Sequence, residues 1–396
     1  MKHLNANLEQ KLWTKDFLLV ILANFLVFTS MYMLLPTLPL YAQYIGGSQS
    51  MAGLIVGAFT LAAVLFRPWF GNMLDSTGRK NVLMLGVAIF TLTTAAYSIS
   101  SIIVILLSVR LLQGIGWGAT TTATGTIASD VIPPARRSEG MAYFGMASTI
   151  AMSVGPALGL YLTSHSSYTV LFMLATILSL LCFVTAVFIN YEKPAKTINK
   201  SVIKGVIIEK TAVIPSLILL VIALTYGGII TFLPAYAAYR GVSDIGIFFT
   251  TFALSLLITR PLMGKAGDRY GFSVVLLPGM LFLGAALIQL ITASSLADFL
   301  IAAVFYGFGF GAVQPILNAI TITLAPPERR GAATATFMSA MDTGIGVGAI
   351  IWGLVAEKFG FTYIFSGSTF LIIVALILYI FLLHSKLSQK ANRSGL

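Results

Sequence analysis

Charge is scarce in this chain of 396 residues: only 9% are Asp, Glu, Lys or Arg, against roughly 25% in ordinary soluble domains. So little charge cannot cover a water-facing globule, and most of the surface is expected to face hydrocarbon. A single cysteine, Cys182, allows no internal disulfide, and between Leu181 and Phe183 it reads as a small packing residue. The three histidines, His3, His165 and His384, lie near the ends of apolar runs and share no spacing that would build a metal site. No nucleophile stands beside a base and no acids are paired, so an enzyme is not expected. Runs of about 10 residues with alternating polarity are also missing, which excludes a membrane barrel and leaves almost no sheet.

What the chain does have is 58% hydrophobic residues, gathered into runs of the roughly 20 residues that a helix needs to cross a bilayer. There are twelve, near 17–40, 51–73, 81–99, 102–128, 141–162, 168–190, 213–237, 243–264, 273–294, 297–323, 332–355 and 362–384. The predicted fold is an all-α integral membrane body. The first run is too long for a secretory signal and is read as a retained span.

A net charge of +11 suggests a polyanionic partner until its positions are read. Nineteen of the 24 Lys and Arg residues fall on one side of the predicted spans: in the N-terminal arm, in the turns after spans 2, 4, 8 and 10, in the central loop and in the tail. The opposite turns hold only Arg240 and Lys358, while Arg67, Arg110 and Arg260 lie within spans. This asymmetry places both termini in the cytoplasm and removes the case for a nucleic-acid partner.

The chain is also duplicated. RPWFGNMLDSTGRKNVLMLG from Arg67 recurs as RPLMGKAGDRYGFSVVLLPG from Arg260, with eight of twenty positions identical at a shift of 193. Gly114, Gly116 and Gly118 of the fourth span recur as Gly307, Gly309 and Gly311, and PPARR at Pro133 recurs as PPERR at Pro326. PLYAQYIG at Pro39 parallels PAYAAYRG at Pro234, which predicts bends near the outer ends of spans 1 and 7. The glycine runs lie inside apolar helices rather than after strands, so close helix packing is predicted and a phosphate loop is not. Small residues on spans 5 and 11, among them Gly155, Gly159, Gly344 and Gly348, predict a sliding contact between the halves. The division is 1–190 for a first six-helix unit, 191–212 for a cytoplasmic loop and 213–396 for a second unit. Within the loop, Val202, Ile203, Val206 and Ile207 beside Lys200 and Lys204 suit either a short surface helix or a plain linker.

These motifs resemble those of the major facilitator superfamily, and the likeness runs from the first span to the twelfth. Gly71, Asp75, Gly78, Arg79 and Lys80 resemble the family's signature turn between helices 2 and 3, with Ser76 at a usually basic place. Asp268, Arg269 and Gly271 resemble its degenerate second copy, and Arg110, Gln113, Gly114 and Gly116 the fourth-helix motif. Gly155, Pro156 and Gly159 resemble the core of the fifth-helix antiporter motif, in which Ala142, Ala151 and Leu160 depart from glycine.

The resemblance implies two pseudo-symmetric six-helix bundles around a cavity lined by helices 1, 4, 7 and 10 and open to each side in turn. It implies that Asp75 faces the start of helix 11 and that Arg79 pairs with Asp130, a lock which Phe272 and Thr323 cannot repeat in the second half. Candidate substrate contacts on the cavity helices are Asn24, Tyr32, Gln113, Trp117, Thr121, Tyr226, Tyr306, Gln314 and Asn318, each with core packing as its alternative. Arg110 either tunes a proton site or bonds backbone carbonyls. Asp342 either carries the coupled proton or is a structural carboxylate bonded to Arg260 or a serine. Arg67 and Arg260, being duplicated, read as scaffold. The expected function is proton-coupled export of small amphipathic or drug-like compounds from a bacterial cell, with a proton-coupled transporter of one metabolite, a sugar or siderophore, as the alternative. Implied partners are a small-molecule substrate, protons and the lipid bilayer, for a monomer with no cofactor beyond the proton gradient.

Overall fold

The computed structural model describes residues 11–133, 136–190, 208–326 and 329–384. The side chains of Asp75, Ser138, Asp268 and His384 fall outside that description, as does the predicted surface helix near 202–207. Among the described residues there is no strand, and twelve helices are long and apolar enough to cross a membrane. They are α1 Lys15–Tyr44, α2 Gln49–Ser76, α3 Arg79–Ala96, α4 Ile103–Val131, α5 Arg137–His165, α6 Tyr168–Val187, α7 Val213–Tyr239, α8 Gly246–Tyr270, α9 Phe272–Thr292, α10 Leu296–Leu324, α11 Arg330–Phe359 and α12 Thr362–Leu378. The chain is a multi-pass membrane protein.

Its packing divides into two compact units, Met1–Tyr41 with Leu61–Val202, and Ala42–Thr60 with Ile203–Leu396. Helix α2 is therefore shared, its first three turns belonging to the second unit.

In the first unit glycine permits the close approaches. A Cβ on Gly86 of α3 would lie 2.7 Å from the Thr120 nitrogen of α4, and one on Gly118 of α4 would lie 2.9 Å from Ala63 O of α2. Helix α5 seats on α1 in the same manner, where a Cβ on Gly159 would lie 2.5 Å from Met33 O. Helix α6 is fixed to α1 by the Ser30 hydroxyl donating to Ala175 O (2.8 Å) and by Cys182 donating to Ala23 O (3.3 Å). The cysteine is thus a buried packing residue.

The second unit repeats this scheme. A Cβ on Gly309 of α10 would lie 2.7 Å from Gly279 O of α9, and one on Gly344 of α11 would lie 2.6 Å from Leu220 O of α7. Trp352 locks the α7–α11 pair by donating from its indole nitrogen to Leu224 O at 2.9 Å.

These contacts correct one expectation. Gly155 and Gly159 meet α1, and Gly344 and Gly348 meet α7, rather than a contact between halves, whereas Gly346 and Gly353 on the other side of α11 meet Gly57 and Gln49 in the first turns of α2. A glycine lets two backbones close wherever it faces one, and its presence alone does not say which neighbour that is.

Candidate functional site

Among the described residues the largest fully buried side chain is Arg110, with no exposure, on α4. Its Nη1 donates to Gln113 Oε1 at 2.6 Å, and the Tyr97 hydroxyl donates to the same oxygen at 2.5 Å. Gln113 Nε2 donates to Thr94 Oγ1 at 2.9 Å, and Thr94 passes its own proton to Phe90 O at 2.6 Å. Gln113 is therefore enclosed in this network, not at a cavity wall. The glycine contact between α3 and α4 brings Thr94 and Tyr97 opposite Gln113.

One turn further, Trp117 packs against Phe28 (ring centroids 4.6 Å apart) and Phe90 (6.0 Å), and Phe28 touches Tyr32 (6.1 Å). Asn24 is buried and ties α1 to α5, donating to the Ser148 hydroxyl at 2.7 Å. Along α4, Thr120, Thr121, Thr122, Thr124 and Thr126 each donate to the carbonyl four residues back at 2.6–2.9 Å. Such back-bonding removes the hydroxyl's donor from further use.

In the second unit Tyr226 and Tyr306 are 2% and 0% exposed and stack with Phe252 and Phe310 at centroid distances of 5.2–6.4 Å. The hydroxyls of Tyr306 and Thr225 lie 2.9 Å apart. These two tyrosines are built into a four-ring core, which aromatic pairs favour by about 1 kcal/mol beyond their burial. Gln314 and Asn318, one turn apart on α10, stay half-buried, and Arg260 Nη2 reaches Gln314 Oε1 at 3.4 Å. Asp342 is half-buried on α11, two residues before the glycine that meets α7.

At the signature turn, Arg79 and Asp130 form the ion pair that the resemblance implies. Lys80 Nζ donates to Val187 O at 2.8 Å and so caps the end of α6. Gly78 and its copy Gly271 take φ of 99° and 90°, a left-handed conformation that favours glycine. A Cβ on Gly71 would meet nothing within 4 Å. Pro156 sits inside α5 next to Gly155, and Arg269 lies over the Tyr270 ring at 5.2 Å. The expected approach of Asp75 to α11, and any contact of the Asp268 carboxylate, lie outside the described side chains.

Three polar contacts were not singled out from the residues. Tyr97 and Thr94 complete the Arg110 network. Glu209, 2% exposed, accepts from Thr211 N (3.3 Å) and its hydroxyl (3.1 Å) and faces Arg329 Nη1 at 3.5 Å. Glu357 accepts from Ser50 N at 2.8 Å. Among the described residues no group of three or more His, Cys, Asp or Glu could hold a metal ion.

The profile of the Major Facilitator Superfamily matches residues 20–243 and 215–395. The staphylopine export protein of Staphylococcus aureus is 23% identical over 91% of this chain and 94% of its own length. A multi-drug resistance efflux pump PmrA homolog of Lactococcus lactis is 25% identical over 92% and 94%. The solved nucleoside transporter NupG superposes with a TM-score of 0.74 at 14% identity, over 92% of this chain and 99% of that one, which speaks for the fold alone. With twelve spans, the duplicated signature turn and a profile match across both halves, the chain belongs to the Major Facilitator Superfamily of transporters.

Proposed function

We propose that this transporter exports small amphipathic or drug-like compounds from the cell in exchange for protons, with both termini in the cytoplasm. The observation that carries the reading is the near full-length similarity to proteins named as exporters, one of them a multi-drug efflux pump. Each unit by itself adds to it: half-buried Tyr32 and Thr121 on α1 and α4 of the first unit, and half-buried Gln314 and Asn318 on α10 of the second, are few polar groups among aromatic and aliphatic ones, a composition that suits a mostly apolar ligand. Arg110 and Asp342 are the proposed coupling residues, Arg79, Asp130 and Asp75 the proposed gate. One proton moving down 100 mV supplies about 2.3 kcal/mol, enough to hold a substrate gradient of roughly 50-fold.

A second reading, proton-coupled transport of one specific metabolite, has the staphylopine export relative behind it. Proton release by purified protein, measured across cationic dyes, antibiotics, sugars and siderophores, separates the two. Release by several amphipathic cations supports the first reading. Release by a single sugar or siderophore replaces it with the second, and no release by any of them removes proton coupling.

A further inference from the structure

Helix pairs α3–α4 and α9–α10 are one packing solution used twice. A Cβ on Gly116 would lie 2.7 Å from Phe90 N, and one on its copy Gly309 would lie 2.8 Å from Leu283 N, both residues of the second contact lying 193 positions after those of the first. At four neighbouring positions the copies diverge. Thr94, Tyr97, Arg110 and Gln113 of the first unit become Leu287, Leu290, Ala303 and Tyr306 of the second, and all eight are 0% exposed. The second copy closes the same glycine contact with leucine, leucine and alanine at three of the four places, and its one polar atom there, the Tyr306 hydroxyl, turns to Thr225 of α7.

Packing this helix pair therefore does not require a guanidinium. Placing one in a membrane interior costs several kcal/mol, so its retention in one copy needs another reason. The hydrogen-bond directions supply it. Gln113 Oε1 takes a proton from Arg110 and another from Tyr97, while its amide nitrogen gives one to Thr94. Turning the amide over would set its N–H groups against the Arg110 donor and its oxygen against a Thr94 hydroxyl whose proton is already directed to Phe90 O. One amide orientation serves Arg110 Nη1, Tyr97 and Thr94 together.

We propose that Thr94, Tyr97 and Gln113 are positioning residues for Arg110, holding its charge at a fixed place for coupling. This rests on the proton-coupled reading of the preceding subsection. The proposal separates coupling from transport itself: a loosened guanidinium disturbs the link between proton and substrate while the passage for substrate remains.

The test uses the full-length protein in proteoliposomes with ethidium as probe, reading pH-driven accumulation, counterflow of ethidium down its own gradient, and the thermal midpoint. Tyr97→Phe deletes one hydroxyl and keeps the ring, and Thr94→Val deletes the acceptor of the Gln113 amide. Both are expected to lower accumulation about tenfold and to shift its pH profile, while counterflow and the thermal midpoint stay near those of the parent. A purely structural network predicts the three readouts falling together. That result, or parental accumulation and pH profile in both variants, overturns the proposal. A parent protein that does not exchange ethidium for protons removes the coupling reading for this compound and the proposal with it.

Discussion

Glu357 Oε2 accepts a hydrogen bond from the backbone nitrogen of Ser50 at 2.8 Å, so a carboxylate in the last turn of α11 caps the first turn of α2. Below that cap the helices touch backbone to backbone, since a Cβ on Gly353 would lie 2.8 Å from Gln49 O and one on Gly57 3.0 Å from Gly346 O. The capped nitrogen is among those that a helix start leaves without an internal partner, and a carboxylate also favours that end of the dipole.

Glu357→Ala should therefore free the start of α2. Loss of a helix cap typically costs about 1 kcal/mol, so amide exchange at residues 49–53 should quicken roughly fivefold while the core of α11 is unchanged. Exchange rates at those residues equal to the parent's would show that the cap contributes nothing.

Arg79 and Asp130 join α3 to the end of α4 at the signature turn. A partly exposed pair of this kind contributes at most about 1 kcal/mol to stability, so Asp130→Asn should shift the thermal midpoint little. Transport is expected to fall severalfold because the lock between turns is lost. The exchanged pair Arg79→Asp with Asp130→Arg should regain part of the rate, and no regain would assign the two residues separate roles.

Asp342 is the carboxylate proposed to carry the proton. Asp342→Asn keeps the shape and removes the titration, so pH-driven accumulation should disappear while substrate binding and downhill exchange persist. Accumulation against a gradient by a well-folded variant would move the coupling role to Asp130 or Asp75. A variant that is poorly folded instead would mark Asp342 as a structural carboxylate.

Glu209 gives a dependence on pH with a definite sign. Hydrogen bonds from the backbone and hydroxyl of Thr211, with Arg329 adding to them, hold its carboxyl below the ordinary glutamate value. Its contribution to stability is then full above the unfolded-state value of about 4.3 and is lost as the pH falls through the lower folded-state value. Glu209→Gln should lower the thermal midpoint at pH 6 and narrow its gap from the parent in acid. A gap that stays constant from pH 6 down to pH 3 would show that this carboxylate is not ionised in the fold.

The twelve spans and the duplicated turn were legible because each is a property of the residues themselves: length, hydropathy and identity at a fixed shift. The Arg79–Asp130 pair was likewise carried by its motif. Faces were harder to read. In a soluble helix the polar side marks water, but here lipid and core are equally apolar, and hydrophobic periodicity cannot tell one from the other. Tyr226 and Tyr306 consequently read either as cavity walls or as core packing, and they close a four-ring core. Gly155 and Gly344 read as a contact between halves although each meets a helix of its own unit. Tyr97 gave no local signal. Only its replacement by Leu290 in the second copy, set beside Arg110 and Ala303, marks it out.

The threonines of α4 change what kind of wall that helix presents. With the protons of Thr121, Thr122 and Thr126 directed at carbonyls one turn back, those half-buried hydroxyls retain only lone pairs for anything alongside. A neighbouring N–H or O–H group meets an acceptor there, whereas a neighbouring oxygen is bonded only if a threonine gives up its carbonyl. The three half-buried hydroxyls thus present lone pairs rather than protons, which the count of polar residues by itself would not suggest.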